Sequence, residues 1–526
     1  MQVQNMRRFR AKEGILNAGL IACCICLFIL QPLFSQEKKK EETATAAAAA
    51  EKHGEGAVQP ETGGEEGKKE KSGKNLNIDA KMLYGRYNTI FWSGSIVQNF
   101  DKFTYQLNSN FKRSNDFGYK NSRYYVNEIG FTADAEVTDK WKLTPEVSVN
   151  NESYGMFRNP FYNREEKDRI ILNFKNEYKP MPTRWDITVG GVYFIHRFDS
   201  SLYPDANAVR SYHSSDLYKA DAELGWEYVW SAANKLRFDS KFSQYYYSTN
   251  SDNDTVTANE LIWNFNLSEY FKFGLGPLYT YNRDRGNFVS GKIDIVTANL
   301  KYVVIGASYR YDLFPFAPED FYFAQKYVHP YYSLSAGKGH HADFKFGVDY
   351  TSAGKNNFYV KKIKFRLSGS YMTNDRYHSY FSLPELVLAP YRMKLQQCKA
   401  KAEGGIGFMI YSVYLELGGR YEYAYFYANS HVTYQPGHAA AAYLNCSVWR
   451  FELQYDTLFR GAMYASPFFN VIIHKAFIGS GTLQFKVFDS FYLYGRIENV
   501  YNIKYNTVYG YPEPGLTVSG GLRIIL

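Results

Sequence analysis

Apolar and polar positions alternate strictly along most of this chain, from about residue 76 to residue 526. In "SVYLELGGRYEY" (412–423), apolar and aromatic side chains fill one set of alternate positions, while Glu416 and Arg420 lie on the other. This period of two is that of a β-strand, whose successive side chains point to opposite faces. Because such runs recur at a length of about ten residues, greater than is usual in soluble sheets, we predict an all-β body of long strands.

Tight turns and long loops alternate between these runs. "VTDK" (137–140), "PMPT" (180–183) and "SAAN" (231–234) are tight turns, whereas "FDSSLYPDANAVRSYH" (198–213) is a long loop. This combination is typical of a transmembrane antiparallel β-barrel. A soluble β-sandwich or propeller is the alternative, but it would have to shield many long strand edges, which closure into a barrel removes.

We therefore predict a barrel of about 20–22 strands, with its apolar face in lipid and its last strand paired with its first. The final stretch "TVSGGLRIIL" (517–526) keeps the alternation to the last residue, which suits a closing strand. The strands that the pattern delimits best are 78–87, 91–99, 412–427, 438–447, 449–460, 470–485, 490–501 and 515–526.

The first 75 residues do not follow this alternation. A basic "MRRFRAK" precedes an apolar run that ends at Ser35, so we predict a secretory signal peptide over 1–35. A retained membrane anchor and a lipoprotein signal with Cys23 as acyl acceptor are alternatives, although the residues after Cys23 are too apolar for a mature lipoprotein. Residues 36–75 contain no aromatic residue, so we predict a disordered linker that precedes an outer-membrane β-barrel over 76–526.

The composition supports a membrane protein. The chain contains 49 Tyr and 39 Phe at a mean hydropathy of −0.42, and tyrosine suits a boundary between lipid and water. The net charge of +9 is spread along the chain, so no nucleic-acid partner is predicted. Cys398 and Cys446 are either a disulfide of an oxidising compartment or two free thiols on strands.

The end of the chain carries its most specific motif. "FYLYGRIENVYNIKYNTVYGYPEPGLTVSGGLRIIL" (491–526) resembles the C-terminal signature of TonB-dependent outer-membrane receptors, in which an "EN" motif, "KY" and "GYP-x-PG" precede the closing strand. Leu516 and Leu526 depart from the family, which has Arg and usually an aromatic residue there. Weaker likenesses extend the resemblance over most of 76–526, at 105–141, 316–323, 337–350 and 432–444. The candidate motif and closure residues are Asn499, Tyr505, Gly510, Tyr511, Pro512, Pro514, Gly515 and Leu526.

The resemblance implies a transport function. In the family, a plug domain inside the barrel binds an iron chelate, cobalamin or a similar ligand and responds to TonB, but residues 36–75 are too few to form a plug. We therefore expect a plugless channel or uptake component for a small solute in the bacterial outer membrane, either open or occluded by its loops or by a partner. The expected partners are outer-membrane lipid, the barrel-assembly machinery, and TonB or a separate plug protein.

A surface binding or adhesion protein is the alternative function. In that case the barrel would display long loops, which we predict at 155–163, 198–213, 313–327 and 374–390. No serine–histidine or metal-ligand spacing stands out, so we expect no enzyme activity, cofactor or metal. His340 and His341 are adjacent, so on a strand they point to opposite faces and cannot chelate one ion together. Lumen-facing Lys and Arg alternate with Glu and Asp, which predicts a solvated wall, and the sequence identifies no ligand-binding residue.

Overall fold

The computed structural model describes residues 75–115, 119, 122–156, 164–199, 214–231, 233–247, 254–266, 268, 270–297, 300, 302–314, 321, 326–328, 336–352, 357–382 and 388–526. The predicted signal peptide and all but the last residue of the predicted linker lie outside these ranges. Within them, no helix is long and apolar enough to cross a membrane.

The described chain is dominated by one antiparallel sheet of 22 strands that closes on itself. Each strand pairs with its neighbours in the sequence, and four shorter strands form two small sheets within the connections. In chain order the strands are β1 (Asn75–Gly85), β2 (Thr89–Asn99), β3 (Phe103–Ser114), β4 (Tyr124–Thr138), β5 (Trp141–Gly155), β6 (Arg164–Tyr178), β7 (Thr183–Asp199), β8 (Ser214–Ser231), β9 (Asn234–Tyr247), β10 (Asp254–Asn266), β11 (Phe271–Asn282), β12 (Gly286–Thr297), β13 (Val303–Phe314), β14 (Gly337–Thr351), β15 (Phe358–Ser382), β16 (Leu388–Ile410), β17 (Val413–Ala428), β18 (His438–Val448), β19 (Phe451–Arg460), β20 (Met463–Tyr464), β21 (Ile472–Ile473), β22 (Ala476–Phe488), β23 (Phe491–Glu498), β24 (Asn506–Val508), β25 (Tyr511–Pro512) and β26 (Thr517–Ile525).

The cylinder closes where β26 pairs with β1, and we call this junction the seam. At its end, the Ile78 amide donates to the Leu526 carbonyl at 2.7 Å, and the Leu526 amide donates back to the Ile78 carbonyl at 2.8 Å. The Arg523 guanidinium spans the seam with two bonds to the Asp79 carboxylate, at 2.9 and 2.6 Å. No edge of the barrel sheet is left open, which confirms the predicted closed all-β barrel.

The two faces of the wall are as the alternation predicts. On β26 the outward side chains of Val518, Leu522 and Ile524 are 53%, 45% and 40% exposed, as expected of positions that lipid covers. Exposed aromatic side chains lie beside the short turns, as is typical of the interface between membrane and water. They are Trp141, Tyr178, Trp185, Trp230, Trp263, Tyr270, Phe271, Trp449 and Phe488. This outward surface places the barrel in the bacterial outer membrane, with short turns at the periplasmic end and long connections at the extracellular end.

Two boundaries differ from the sequence prediction. Residues 470–485 are not one strand, because Ile472–Ile473 forms a small sheet in a loop and the barrel strand begins only at Ala476. The alternation continues there because these loop residues alternate between an interior core and solvent. The predicted loop 374–390 is also mostly strand, since β15 and β16 extend past the barrel as a long hairpin with a bulge between Asn374 and Tyr377.

Both body cysteines are free thiols. Cys398 on β16 and Cys446 on β18 pair with Tyr425 and Leu415 of the intervening β17. Those two partners are ten positions apart, a rise of roughly 33 Å along the strand. That separation is far beyond the reach of a disulfide, so the structure favours the second alternative for these residues.

Candidate functional site at the loop end of the barrel

A buried apolar core lies at the loop end of the barrel. Its wall residues come from the arc β7–β10, and its other residues come from connections that include those after β17, β19 and β23, on the opposite arc. In a hollow cylinder, such contacts must cross the lumen. The wall contributes Phe194, Phe198, Leu217, Tyr245 and Val256, and the connections and strand ends contribute Met156, Val328, Leu388, Tyr434, Met463, Ala465, Ile473, Val508 and Tyr511.

We call the segments 326–328, 429–437, 461–475 and 499–516 the lid. Nearly every lid residue in this core is less than 6% exposed, and only Tyr434 reaches 9%. Burial of this kind is the ordinary driving force of a protein core. The lid therefore packs as a core inside the barrel mouth, and its interior is removed from solvent.

Three charged or titratable side chains are fully buried where the lid meets the wall. Glu165, Lys167 and His196 have no exposed side-chain surface. One Glu165 oxygen lies 2.9 Å from His196 Nε2 and 3.3 Å from Lys167 Nζ. A buried charge requires such partners, because desolvation of an unpaired ion costs several kcal/mol.

The same carboxylate holds the lid. The Tyr327 amide donates to the second Glu165 oxygen at 2.6 Å, and the Tyr327 carbonyl accepts from the Leu388 amide at 2.7 Å. The Tyr327 ring stacks on Tyr511 with centroids 3.7 Å apart and planes within 11°. Burial raises the pKa of Tyr327 well above its usual value, so its hydroxyl stays neutral. Tyr327 thus joins the wall, the start of β16 and the 499–516 segment at one point.

A second anchor joins the lid to the extended hairpin of β15 and β16. Thr433 is 1% exposed, and its hydroxyl lies 2.8 Å from the Ser379 hydroxyl. The Tyr380 amide donates to the same Thr433 oxygen at 3.2 Å. The hairpin extension therefore supports the 429–437 segment, which explains why β15 continues beyond the membrane.

Seven of the eight predicted motif residues lie in the 499–516 segment. Asn499, at a φ of 50°, brackets it: the side-chain amide donates to the carbonyls of Ile503 at 2.9 Å and Pro514 at 3.1 Å, and the side-chain oxygen accepts from the Ile503 amide at 3.0 Å. Gly510, with a φ of 83°, turns the chain before β25, which contains Tyr511 and Pro512. Pro514 and Gly515 follow, and Tyr505 faces a cavity. Leu526 lies apart from them, at the other end of the seam.

The cavity has a volume of about 460 Å³ and lies between the seam wall and the lid. Its wall residues come from the first five strands and from β19, β22, β23 and β26, and its roof from Lys326, Tyr327 and the 499–516 segment. Four basic and two acidic residues line it: Arg86, Lys112, Arg123, Lys326, Glu498 and Glu513. Six tyrosines complete the lining: Tyr87, Tyr124, Tyr154, Tyr327, Tyr505 and Tyr511.

Both carboxylates of the cavity already have partners. Glu498 lies 2.6 Å from Arg496 and accepts a bond from the Thr517 hydroxyl at 3.2 Å, and Glu513 accepts from the Thr507 hydroxyl. By contrast, the described neighbours of two lysines are rings: Lys112 Nζ lies 5.3 Å from the Tyr124 centroid, and Lys326 Nζ lies 4.9 Å from that of Tyr154. Burial, and after it the charge of Glu513, raises the pKa of Tyr505 to about 12. Its hydroxyl is therefore a neutral donor at physiological pH.

The lumen wall nearer the short turns differs from the cavity, because its charges are paired between strands. Examples are Lys175 with Glu146 at 2.6 Å, Lys292 with Glu260 at 2.9 Å, and Arg366 with Asp349 at 2.9 Å. This is the solvated, mixed-charge wall that the sequence predicts.

The two adjacent histidines have separate partners. His340 Nδ1 lies 2.8 Å from the Tyr309 hydroxyl, and His341 Nδ1 lies 3.2 Å from Asp343. They occupy opposite faces of β14, as expected for neighbouring residues on a strand. Over the described ranges, no three His, Cys, Asp or Glu side chains are grouped so as to hold a metal ion.

Sequence reasoning did not identify the Glu165 cluster or the cavity lysines. The only local signal is the density of charge in "REEKDR" (164–169), at the end of a strand next to a long loop. That signal is indistinguishable from the charged lumen wall, because the lid that buries Glu165 comes from residues more than 160 positions away.

No family model and no curated protein matches this sequence. Among solved structures, the chain is similar to the FrpB iron transporter from Neisseria meningitidis (F5-1 variant), with a TM-score of 0.63 and 10% identity over 86% of this chain and 83% of that chain. It is similar to the copper transporter OprC, with a TM-score of 0.61 and 10% identity over 86% and 80%. It is also similar to the siderophore receptor PirA from Acinetobacter baumannii, with a TM-score of 0.62 and 8% identity over 86% and 81%.

At these identities the likeness concerns the fold. The protein is a large outer-membrane β-barrel with the fold of these transporters and receptors. The 22 strands and the closing seam give the fold that the resemblance to TonB-dependent receptors predicts.

Proposed function

We propose that this protein is an outer-membrane uptake component for a small solute, and that its own loops close the extracellular mouth. The observation that carries the proposal is the apolar core that crosses the lumen from β7–β10 to the lid. A barrel of this width without such an obstruction has a lumen too wide for wall side chains to fill. The similar solved structures transport iron and copper or receive siderophores, which supports a transport role for the fold.

Conductance in planar bilayers tests the lid. The full chain is expected to show little current, whereas Met463→Glu, which places a charge at a 5% exposed position of the lid core, is expected to open it. Phe469→Glu is the matched control, because Phe469 belongs to the same lid segment but is 71% exposed. Circular dichroism confirms that each variant is folded. A large current through the unaltered protein, or a closed but folded Met463→Glu variant, would contradict the proposal.

We also propose that TonB or a separate plug protein acts on this barrel from the short-turn end. Transporters with 22 strands hold a plugged lumen, and the polar, ion-paired wall suits a soluble occupant. If solute uptake continued unchanged in cells lacking TonB, TonB would not be a partner. Copurification of a plug-like protein with the barrel would support the separate plug protein.

A surface binding protein remains the second candidate, and exposed aromatic residues of the lid favour it. Phe468 and Phe469 are 59% and 71% exposed at the extracellular end. Exposed apolar side chains at that end suit contact with another molecule. If Phe468→Ser with Phe469→Ser abolishes binding of cells to a surface while uptake continues, the display function applies.

A further inference from the structure

The cavity between the seam and the lid has the dimensions of a ligand site. Its volume of about 460 Å³ falls within the range of roughly 300–1,000 Å³ that small-molecule sites occupy. It combines tyrosine rings, which offer apolar faces and neutral hydroxyls, with a few charged groups. It lies directly beneath Lys326 and Tyr327, so its roof belongs to the lid.

The lysines of the cavity differ in charge pairing from several lysines of the lumen wall. Wall lysines such as Lys175 and Lys292 lie within 3 Å of a carboxylate. Over the described residues, no carboxylate comes within ion-pair distance of Lys112 or Lys326, and each of these ammonium groups faces an aromatic ring instead. Among the described residues, the Arg86 guanidinium donates to the backbone carbonyl of Leu516, at 3.1 Å.

The acidic groups do not offset these cations. Glu498 is shared between Arg496 and Thr517, and Glu513 accepts from Thr507. A partly desolvated lysine is stabilised by an opposite charge at close range. Glu498 and Glu513 act on Lys112 only from a distance, since no ion pair joins Lys112 to a described carboxylate. Lys112 and Lys326 are therefore available to pair with the negative charge of a bound ligand.

We propose that this cavity binds a small organic anion, with its carboxylate or phosphate directed toward Lys112 and Lys326 and its carbon skeleton against the tyrosine rings. The assignment rests on the proposed uptake function and names the class of solute. Lys112 is the specificity-determining residue, because it stands on the rigid wall of β3, whereas Lys326 belongs to the lid.

Equilibrium dialysis of the full chain in detergent micelles tests the assignment with three probes. 4-Nitrophenyl phosphate and 4-nitrobenzoate carry the anion, and 4-nitrobenzyl alcohol is the neutral analogue. At least one anion is expected to bind saturably and roughly tenfold or more tightly than the alcohol, since a charged hydrogen bond contributes about 1.5–3 kcal/mol. The anion that binds better identifies phosphate or carboxylate as the preferred group.

Variants locate the site. Lys112→Met is expected to weaken anion binding at least about tenfold and to leave alcohol binding unchanged, and Lys112→Arg is expected to retain most of the affinity. Lys345→Met, a lumen-facing lysine outside the cavity, is the matched control. Equal binding of anions and alcohol, absence of saturable anion binding, or equal losses in Lys112→Met and Lys345→Met would overturn the proposal. The binding assay uses the unaltered protein and does not measure ion current. Its outcome is therefore independent of the conductance experiment that tests the proposed function.

Discussion

The inward face of the barrel has two regions that follow the same alternation but have different physical states. Near the short turns, Lys175 and Glu146 form a pair that remains 50% and 29% exposed, and their neighbours are similarly wet. At the loop end, Glu165 and Lys167 occupy the same kind of inward position but are fully buried beneath the lid. A polar residue at an inward position of a barrel therefore predicts which face of the wall it occupies, but not whether it is exposed to solvent. Whether it meets water or protein depends on distant loops.

The largest expected effect comes from breaking the buried pair. Glu165→Ala leaves the Lys167 ammonium and the Tyr327 amide without the carboxylate they share, and should cost about 3–5 kcal/mol of unfolding free energy. Glu146→Ala is the matched change at the wet end, where an exposed pair contributes about 0–1 kcal/mol. Urea unfolding in lipid vesicles measures both. Equal losses would remove the distinction between the two regions.

The outward face provides the next test. Leu417 is 45% exposed on β17, so Leu417→Arg places a charge in hydrocarbon and should cost about 2–4 kcal/mol near the bilayer midplane. Lys345→Glu, at an exposed position of the lumen face, should stay within about 0.5 kcal/mol. Folding yield and urea unfolding in vesicles report the difference. If both substitutions were harmless, the faces would be wrongly assigned.

Glu416 is a poorer control than the sequence suggests. The alternation places it on the lumen side, where Glu416→Arg is expected to be tolerated. In the structure it is only 7% exposed, with Lys362 at 2.9 Å and the Tyr414 hydroxyl at 2.8 Å. Charge reversal there should therefore be destabilising.

A smaller effect is expected within the lid. Asn499→Ala removes the three bonds that bracket the 499–516 segment and should cost about 1–3 kcal/mol. Hydrogen exchange of that segment should accelerate, while the wall strands keep their protection. Asn470→Ala is the control: it removes one exposed bond, to His431 at 3.1 Å, and should leave the exchange of the 499–516 segment unchanged. Unaltered exchange in Asn499→Ala would show that the bracket is not needed.

The smallest effect is expected at the seam. Arg523→Lys loses the two-pronged contact with Asp79 and should cost about 0.5–1 kcal/mol, because the pair is partly exposed. Arg366→Lys, which alters the single contact with Asp349, should cost less. The unfolding midpoints of the two variants, measured in the same lipid, compare these losses. A loss in Arg366→Lys that equals or exceeds the loss in Arg523→Lys would contradict the prediction.

The sequence predicts the barrel well because the wall obeys one local rule. The period of two sets each strand, its lipid face and the closing role of β26, and the C-terminal motif adds the class of barrel. The same rule fails at Ile472 and Ile473, whose alternation serves the lid core instead of the lipid. It also misses Glu165, since burial there depends on Tyr327, 162 positions away. The motif residues were identified by resemblance. The cavity that Tyr505 and Tyr511 help to line could not be predicted from the sequence, because its lining comes from segments that are far apart in the chain.

The position of the cavity at the seam has a consequence for biogenesis. Gly85 of β1 and Ser519 of β26 both border it, so neither the first nor the last strand forms this chamber alone. A partly inserted barrel, still open between those strands, lacks this cavity. Binding at the proposed anion site therefore requires the same event that seals the wall, and an unfinished molecule stalled in the membrane should not bind the anion.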